Sequence, residues 1–307
     1  MIREALSSVA RNEALGGLIS RAPIARDVVK RVIAGESVAD ALAVAGELAD
    51  RGFWVSLERA APTVDTDNVA ASVFDDYSAL VGAVASAGLG GVCEVSVFPE
   101  SLGVMPGPGE EHARERLFEL ARLATERSVP LMVGMGPAGD ADQTIAWVEA
   151  LHAAGTPVGV TLPAVLRRTA ADCERFADRR VRLVKGGHRG ASTVAYSHPI
   201  EIDKSFIRCA KTLLRGGGEP SFATHDPRLI EILETLTARY ERPRQSYEFA
   251  FFMGRQEAAQ QRLLAAGERV RVYVPYGPDW FERLVGGLAE QPSSIAAALR
   301  SLLPGSS

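Results

Sequence analysis

The sequence predicts an α/β fold, a (β/α)8 barrel of the TIM type that follows a set of N-terminal helices. Eight short apolar runs, each followed by a stretch with helical spacing, are typical of a parallel sheet whose strands alternate with helices. Eight units are the number that closes into a barrel, and the 307-residue chain has room for the usual barrel of about 250 residues. An open doubly wound sheet, the alternative fold, has less support because no Gly-x-Gly-x-x-Gly motif follows the first run.

The first part of the chain is predicted to be helical. Apolar residues recur at helical spacing on both sides of Pro23. Ser37 is a residue type that caps helices, and another apolar series with helical spacing follows it. We therefore divide the chain into an N-terminal helical segment, residues 1–50, and a (β/α)8 barrel, residues 51–307.

The barrel elements follow from where the apolar pattern changes between runs and helical spacing. The predicted strands are 53–57, 92–98, 131–133, 158–162, 181–184, 221–223, 247–252 and 270–274. The predicted helices are 73–87, 113–127, 144–154, 170–176, 204–214, 229–240, 256–264 and 279–290.

Composition narrows the class of function. The net charge of −4 and the lack of a basic run argue against a nucleic-acid partner. The three cysteines, an odd number without metal-ligand spacing, are typical of reduced cytoplasmic thiols, and no metal site is expected. No signal peptide and no apolar run of membrane length is present, so we expect a cytoplasmic protein without an integral membrane segment, with peripheral membrane association left open.

Two positive charges lie in the fifth predicted strand, at Arg182 and at Lys185, where the strand ends in a glycine turn. A charge inside a core strand is costly unless a negative or polar group meets it. Barrel enzymes keep their chemistry at the carboxyl ends of their strands, so we favour a ligand-facing role over simple pairing with core carboxylates. From these features alone, Lys185 could also be the Schiff-base lysine of an aldolase-type barrel.

Further polar side chains end the sixth predicted strand. Asp226 followed by Pro227 predicts the start of a helix, with the aspartate as its cap. That assignment leaves Thr224 and His225 free to face a ligand at the same end of the barrel.

Several segments, in order along the chain, resemble the proline dehydrogenase family, whose members are (β/α)8 barrels that hold FAD. The resemblance extends from about residue 35 to the end. The segments that carry it are Glu94-Val95-Ser96-Val97, Leu166-Arg167-Arg168-Thr169, Val181-Arg182-Leu183-Val184-Lys185-Gly186, Ala223-Thr224-His225-Asp226-Pro227, Tyr247-Glu248-Phe249 with Gly254, Val272-Tyr273-Val274-Pro275-Tyr276-Gly277, and Leu288-Ala289-Glu290 with Pro292.

The flavin side of the family is well matched. The resemblance implies that Arg182 lies near flavin N5, where a positive charge stabilises the reduced anionic ring. It implies that the remaining matched positions contact or support the cofactor, namely Lys185, Gly186, Thr224, His225 and Glu248. Arg182, Lys185 and His188 are the residues to which we assign catalysis.

The substrate side of the family is not matched. The resemblance places Phe98 where the family has a lysine, Gly134 where it has an aspartate, and Pro163 where it has a glutamine. His188 replaces a tyrosine. The family's Tyr-x-x-Arg-Arg, whose arginines hold the proline carboxylate, corresponds to Arg283 and then Gly286-Gly287. The candidate substrate residues are therefore Phe98, Gly134, His188, Phe252, Tyr273, Arg283, Gly286 and Gly287.

The resemblance implies a flavin-dependent oxidoreductase that oxidises a C–N bond, from amine to imine, and these differences predict a substrate other than free proline. The substrate would be a small amine or an amino-acid-like molecule of specialised metabolism, and the electron acceptor a quinone or oxygen. Three alternatives stay open. They are a true L-proline dehydrogenase that holds the carboxylate through Arg255 or Arg283, a non-catalytic flavoprotein, and a Schiff-base enzyme that uses Lys185.

Overall fold

A computed structural model describes residues 31–105, 107, 109–136, 140–186 and 190–280. Within these residues eight parallel strands pair in chain order and close into a barrel, which confirms the predicted (β/α)8 fold. The strands are β1 (Trp54–Arg59), β2 (Cys93–Val97), β3 (Leu131–Val133), β4 (Val158–Pro163), β5 (Arg180–Val184), β6 (Glu219–Ala223), β7 (Glu248–Phe252) and β8 (Val270–Tyr276).

A helix precedes the barrel and another follows each of the first seven strands. The helices are α1 (Val38–Asp50), α2 (Asp67–Ser86), α3 (Glu110–Glu126), α4 (Ala141–Ala153), α5 (Thr169–Arg175), α6 (Pro199–Arg215), α7 (Pro227–Arg239) and α8 (Glu257–Ala265). Residues 281–290 of the predicted last helix and most of the predicted N-terminal helical segment lie outside the described residues, so the division at residue 50 stays a prediction.

Side-chain oxygens fix where several helices begin. The hydroxyl of Ser37 accepts a hydrogen bond from the backbone N–H of Asp40, whose carboxylate accepts one from the N–H of Ser37. This capping box confirms the predicted start of α1. Asp226 caps α7 through the backbone N–H of Arg228 at 3.0 Å, with Pro227 in the first turn, again as the sequence indicates.

The strands alternate between an apolar outer face and a polar inner face. Side chains such as Val55, Leu57 and Val95 are fully buried in the hydrophobic core. The intervening residues point into the barrel, where the hydroxyls of Ser56 and Ser96 lie 3.1 Å apart. The barrel interior is therefore a polar, charged space directly below the strand ends.

Two further observations concern the described residues as a group. Cys93, Cys173 and Cys209 are buried free thiols. No helix in the described ranges has the length and apolar character needed to cross a membrane.

Candidate active site

Arg182, in the middle of β5, lies with its guanidinium inside the barrel and is only 4% exposed. Its Nη1 donates to Oγ of Ser96 at 2.9 Å, and its Nη2 donates to Oγ of Ser56 at 3.0 Å and to the carboxylate of Glu94. The carboxylate pairing that the sequence made the less favoured interpretation is therefore present. The Nε of Arg182 is buried and has no hydrogen-bond partner among the described residues.

Glu94 and Glu248 are the acidic members of a buried charge cluster that also contains Arg180, Arg182 and Arg271. Arg271 donates to both carboxylate oxygens of Glu248, and Arg180 bridges the two glutamates at 2.6 Å from Glu94 and 3.3 Å from Glu248. Burial opposes ionisation of Glu248, but the charges of Arg271 and Arg180 outweigh it and hold the pKa of this carboxyl well below its ordinary value.

The members of the cluster were not predicted, although their signal is visible as charged residues in otherwise apolar strands: Glu94 in β2, Arg180 and Arg182 in β5, Glu248 in β7 and Arg271 in β8. Glu248 is the first residue of β7, so it lies below the carboxyl end of that strand, and it is 1% exposed. Its position favours support of the site rather than contact with a cofactor. The assignment of Glu248 to the cofactor stays a prediction.

Lys185 immediately follows β5 and pairs with two carboxylates. Its Nζ lies 2.7 Å from Oδ1 of Asp203 on α6 and 2.9 Å from Oδ2 of Asp226. Burial lowers the pKa of the Lys185 ammonium, but its hydrogen bonds to Asp203 and Asp226 more than offset this, and the pKa is raised. A Schiff-base lysine must be neutral to attack a carbonyl. The arrangement therefore argues against the aldolase-type alternative.

The segment after β6 is only partly free to face a ligand. The hydroxyl of Thr224 accepts a hydrogen bond from the backbone N–H of Asp226 at 3.2 Å, which the sequence did not anticipate. The His225 ring lies 5.5 Å from the ring of Phe252 and its Nδ1 is buried without a partner in the described structure. Burial, with the nearby charge of Arg255, lowers the pKa of His225 to about 4, so the imidazole is neutral at pH 7.

Aromatic side chains end β7 and β8. Phe252 is 53% exposed, and its ring meets the ring of Tyr273 edge-on at 5.1 Å. The hydroxyl of Tyr273 donates to Oε2 of Glu58 at 2.7 Å, and its ring lies 5.3 Å from Cζ of Arg182. This pair connects the exposed strand ends with the buried guanidinium below them.

On the other side of the barrel, Phe98 follows β2 and Gly134 follows β3. The backbone N–H of Gly134 donates to the carbonyl of Val97 at 2.7 Å, which holds the two strand ends together. The ring of Phe98 lies directly against the glycine. These two predicted substrate residues are therefore in contact.

The remaining predicted positions are less informative. Gly186 is half-buried and follows Lys185 at the end of β5. His188, Arg283, Gly286 and Gly287 lie outside the described residues. Among residues that are described, no group of three histidine, cysteine or acidic side chains is placed to hold a metal ion.

Comparison with known proteins identifies relatives over most of the chain. Proline dehydrogenase 1 of Bacillus subtilis is 27% identical over 276 residues, which cover 89% of this chain and 90% of the relative. Proline dehydrogenase of Deinococcus radiodurans is 26% identical over 283 residues, 91% of each chain.

A solved structure of similar fold is proline utilization A from Bdellovibrio bacteriovorus, inactivated by N-propargylglycine. It matches with a TM-score of 0.79 and 20% identity, over 95% of this chain and 34% of the larger protein. The present chain thus spans about a third of that protein, and this likeness concerns the fold alone. The family model described as Proline dehydrogenase matches residues 41–280. The chain therefore belongs to the proline dehydrogenase family of oxidoreductases, which act on CH–NH groups.

Proposed function

We propose that the protein is a FAD-dependent oxidoreductase that converts an amine into an imine, with a substrate other than free proline. A carbon next to nitrogen loses a hydride and the nitrogen loses a proton, so a C=N bond replaces the C–H and N–H bonds. When bound, FAD supplies the hydride acceptor and a route for the two electrons to a quinone or to oxygen. The observation that carries the proposal is the buried guanidinium of Arg182 directly below the aromatic strand ends.

The residues at the strand ends fit a flavin, which is a flat aromatic ring system with polar edges and a pyrophosphate. Phe252 and Tyr273 offer aromatic surface, and Lys185 offers a positive charge. The buried Nδ1 of His225 and Nε of Arg182 have no hydrogen-bond partner in the described ranges. Buried polar atoms without a partner are rare in proteins, and polar cofactor edges would satisfy them.

Arg182 would contribute electrostatics that are fixed before the reaction begins. Its two Nη atoms are held by Glu94, Ser56 and Ser96, so its position needs no reorganisation when negative charge develops above it. Such preorganised charge is often the largest single contribution that a protein makes to rate. The carboxylate of Glu94 is shared with Arg180 and Arg271. Because the cluster has three arginines and only two glutamates, it keeps a net positive charge.

The residues that follow β2 and β3 support a substrate other than free proline. A charge-assisted hydrogen bond to a carboxylate contributes about 1.5–3 kcal/mol. β2 is followed by the phenyl ring of Phe98, and β3 is followed by Gly134, which has no side chain. Neither residue has a side-chain group that can bind a carboxylate in this way. The loss of such contacts corresponds to roughly tenfold in affinity for each 1.4 kcal/mol.

A second candidate is a true L-proline dehydrogenase. The backbone N–H of Arg255 donates to the carbonyl of Phe252, the last residue of β7, at 3.1 Å, so this arginine lies close to the strand ends and could hold a carboxylate. The curated relatives are named proline dehydrogenases, which also favours this candidate.

The test is reconstitution with FAD, removal of excess cofactor, and anaerobic titration with L-proline and a panel of cyclic secondary amines. Loss of the visible flavin absorption band reports reduction. We expect bleaching by amines other than L-proline. Bleaching by L-proline alone would establish the second candidate, and bound FAD that stays oxidised with every amine would indicate a non-catalytic flavoprotein. A protein that retains no FAD contradicts both candidates.

A further inference from the structure

The phenyl ring of Phe98 packs against Gly134, and we call the space beside Gly134 that the ring fills its seat. A Cβ atom built on Gly134 would lie 2.5 Å from both Cδ1 and Cε1 of Phe98 and 2.9 Å from Cγ. Non-bonded carbon atoms normally approach to about 3.5–4.0 Å. The phenyl ring therefore occupies the space that any side chain at position 134 would need.

The backbone holds both residues in this arrangement. The carbonyl of Phe98 accepts hydrogen bonds from the hydroxyl of Ser101 at 2.6 Å and from its N–H at 2.9 Å. Pro99 restricts Phe98 to extended backbone conformations, and Phe98 has φ −104° and ψ 127°. Because Gly134 is fixed to the end of β2 through Val97, the ring has little freedom to leave its seat.

The same packing recurs one strand further around the barrel. A Cβ atom on Gly159 of β4 would lie 2.6 Å from Cε and 2.9 Å from Sδ of Met132 on β3. Side chains from one strand thus fill the place of a missing side chain on the next, from β2 to β4. At the strand ends this part of the barrel carries the ring of Phe98 and, beside Gly136, the carboxylate of Glu100. Lys185 follows the neighbouring strand β5, and Tyr273 lies on β8.

We propose that the Phe98 ring seated on Gly134 is the specificity-determining feature of the site and selects cyclic secondary amines that carry an uncharged substituent. The inference rests on the proposed function and names the substrate class of the same site. A free carboxylate placed against the ring would lose water without gaining a partner there, which is unfavourable. An ester in the same place loses much less hydration.

The test compares L-proline methyl ester with L-proline as substrates of the FAD-loaded protein. We expect the wild type to prefer the ester. Phe98→Lys introduces a cation at the ring's position and is expected to lower the ester-to-acid ratio of kcat/KM by at least about tenfold, mainly through KM for the acid. Phe98→Leu keeps an apolar side chain and is expected to keep the preference.

Gly134→Ala tests the seat itself, since it forces the ring away from β3 and is expected to alter the same ratio. Gly46→Ala is the matched control, because a Cβ there meets nothing within 4 Å. Phe118→Ala, a half-buried ring on α3 beneath Arg114, is the control for loss of a phenyl group. Both controls are expected to leave the ratio within about twofold of the wild type.

The outcomes separate the two proposals. If both substrates reduce the flavin and neither Phe98→Lys nor Gly134→Ala moves the ratio, the specificity inference is overturned and the proposed function stands. If neither substrate reduces the flavin of the wild type while another amine of the panel does, the specificity inference is overturned and the proposed function stands. If no amine of the panel reduces it, the proposed function is contradicted. Bound FAD per protein, measured for every variant, shows which variants retain the folded site, and Gly134→Ala carries the comparison if Phe98→Lys does not retain it.

Discussion

Arg271 donates hydrogen bonds to both carboxylate oxygens of Glu248, from Nε to Oε1 at 2.7 Å and from Nη2 to Oε2 at 2.9 Å. The two side chains are 2% and 1% exposed, at the start of neighbouring strands inside the barrel. A buried bidentate pair is costly to break, because removal of one partner leaves the other charge without compensation. The pair links β7 and β8 below the candidate site.

Replacement of Glu248 is therefore expected to destabilise the fold. Glu248→Gln leaves Arg271 and Arg180 without that negative charge, and we expect the free energy of unfolding to fall by about 3–5 kcal/mol. Glu234→Gln is the matched control, since Glu234 also accepts two hydrogen bonds from an arginine, Arg262, but on the surface. It is expected to cost less than about 1 kcal/mol. Equal losses in urea denaturation of the two variants would contradict this account.

The same cluster predicts how stability depends on pH. Because the folded protein holds the pKa of Glu248 well below the ordinary value of 4.5, its carboxylate stabilises the fold fully above 4.5. That stabilisation is lost as pH falls from 4.5 towards the lower folded-state pKa. Unfolding of the wild type, measured in buffers on both sides of 4.5, is expected to show a steeper loss of stability than unfolding of Glu248→Gln. Parallel pH profiles would show that the cluster does not control acid unfolding.

His225 is expected to matter for cofactor binding and not for folding. His225→Phe keeps an aromatic ring beside Phe252 and removes an Nδ1 that is buried without a partner in the described structure. Without cofactor, the variant is expected to be at least as stable as the wild type. Its affinity for FAD, measured by flavin fluorescence quenching, is expected to be weaker by about 2- to 10-fold, the equivalent of one hydrogen bond. Unchanged affinity would remove His225 from the cofactor site.

Arg182 is expected to control the rate of flavin reduction. Arg182→Met removes the positive charge, while Glu94 keeps Arg180 and Arg271 as partners. We expect the rate constant for reduction by an amine substrate to fall by about 100-fold or more, with a lower reduction potential of the bound flavin. Arg182→Lys, which retains the charge, is expected to recover part of both. A potential and a rate that do not change in Arg182→Met would exclude the role proposed for this residue.

Lys185 is expected to remain unreactive towards carbonyl compounds. Its ammonium is paired with Asp203 and Asp226, and its raised pKa keeps it protonated. Incubation with pyruvate and borohydride is therefore expected to give no mass increase on Lys185 by peptide mass spectrometry. A trapped adduct at this residue would revive the Schiff-base alternative.

The fold was predictable because periodicity is a local property of the sequence. The predicted strand 131–133 coincides with β3, and the strand predicted at 270–274 lies within β8. The cap at Asp226 was predictable for the same reason, since the residues that form it are adjacent in the chain.

Pairing of Arg182 and Lys185 with core carboxylates was an open interpretation, but the partners could not be named, because they depend on which strands are adjacent in the closed barrel. Arg182 and Glu94 are 88 residues apart, and Arg271 and Glu248 meet only through the register of β7 and β8. Contact between Phe98 and Gly134 likewise requires β2 and β3 to be adjacent, with these residues at matched heights. From the sequence, Phe98 and Gly134 were two separate differences from the proline dehydrogenase family. In the structure they are in contact and form one feature.

The most direct test of the account is a single-turnover reaction of the FAD-loaded protein with L-proline methyl ester in the absence of oxygen. We expect loss of the visible flavin band together with formation of an imine that is lighter than the ester by two hydrogen atoms. A flavin that stays oxidised, with the ester recovered unchanged, would contradict it.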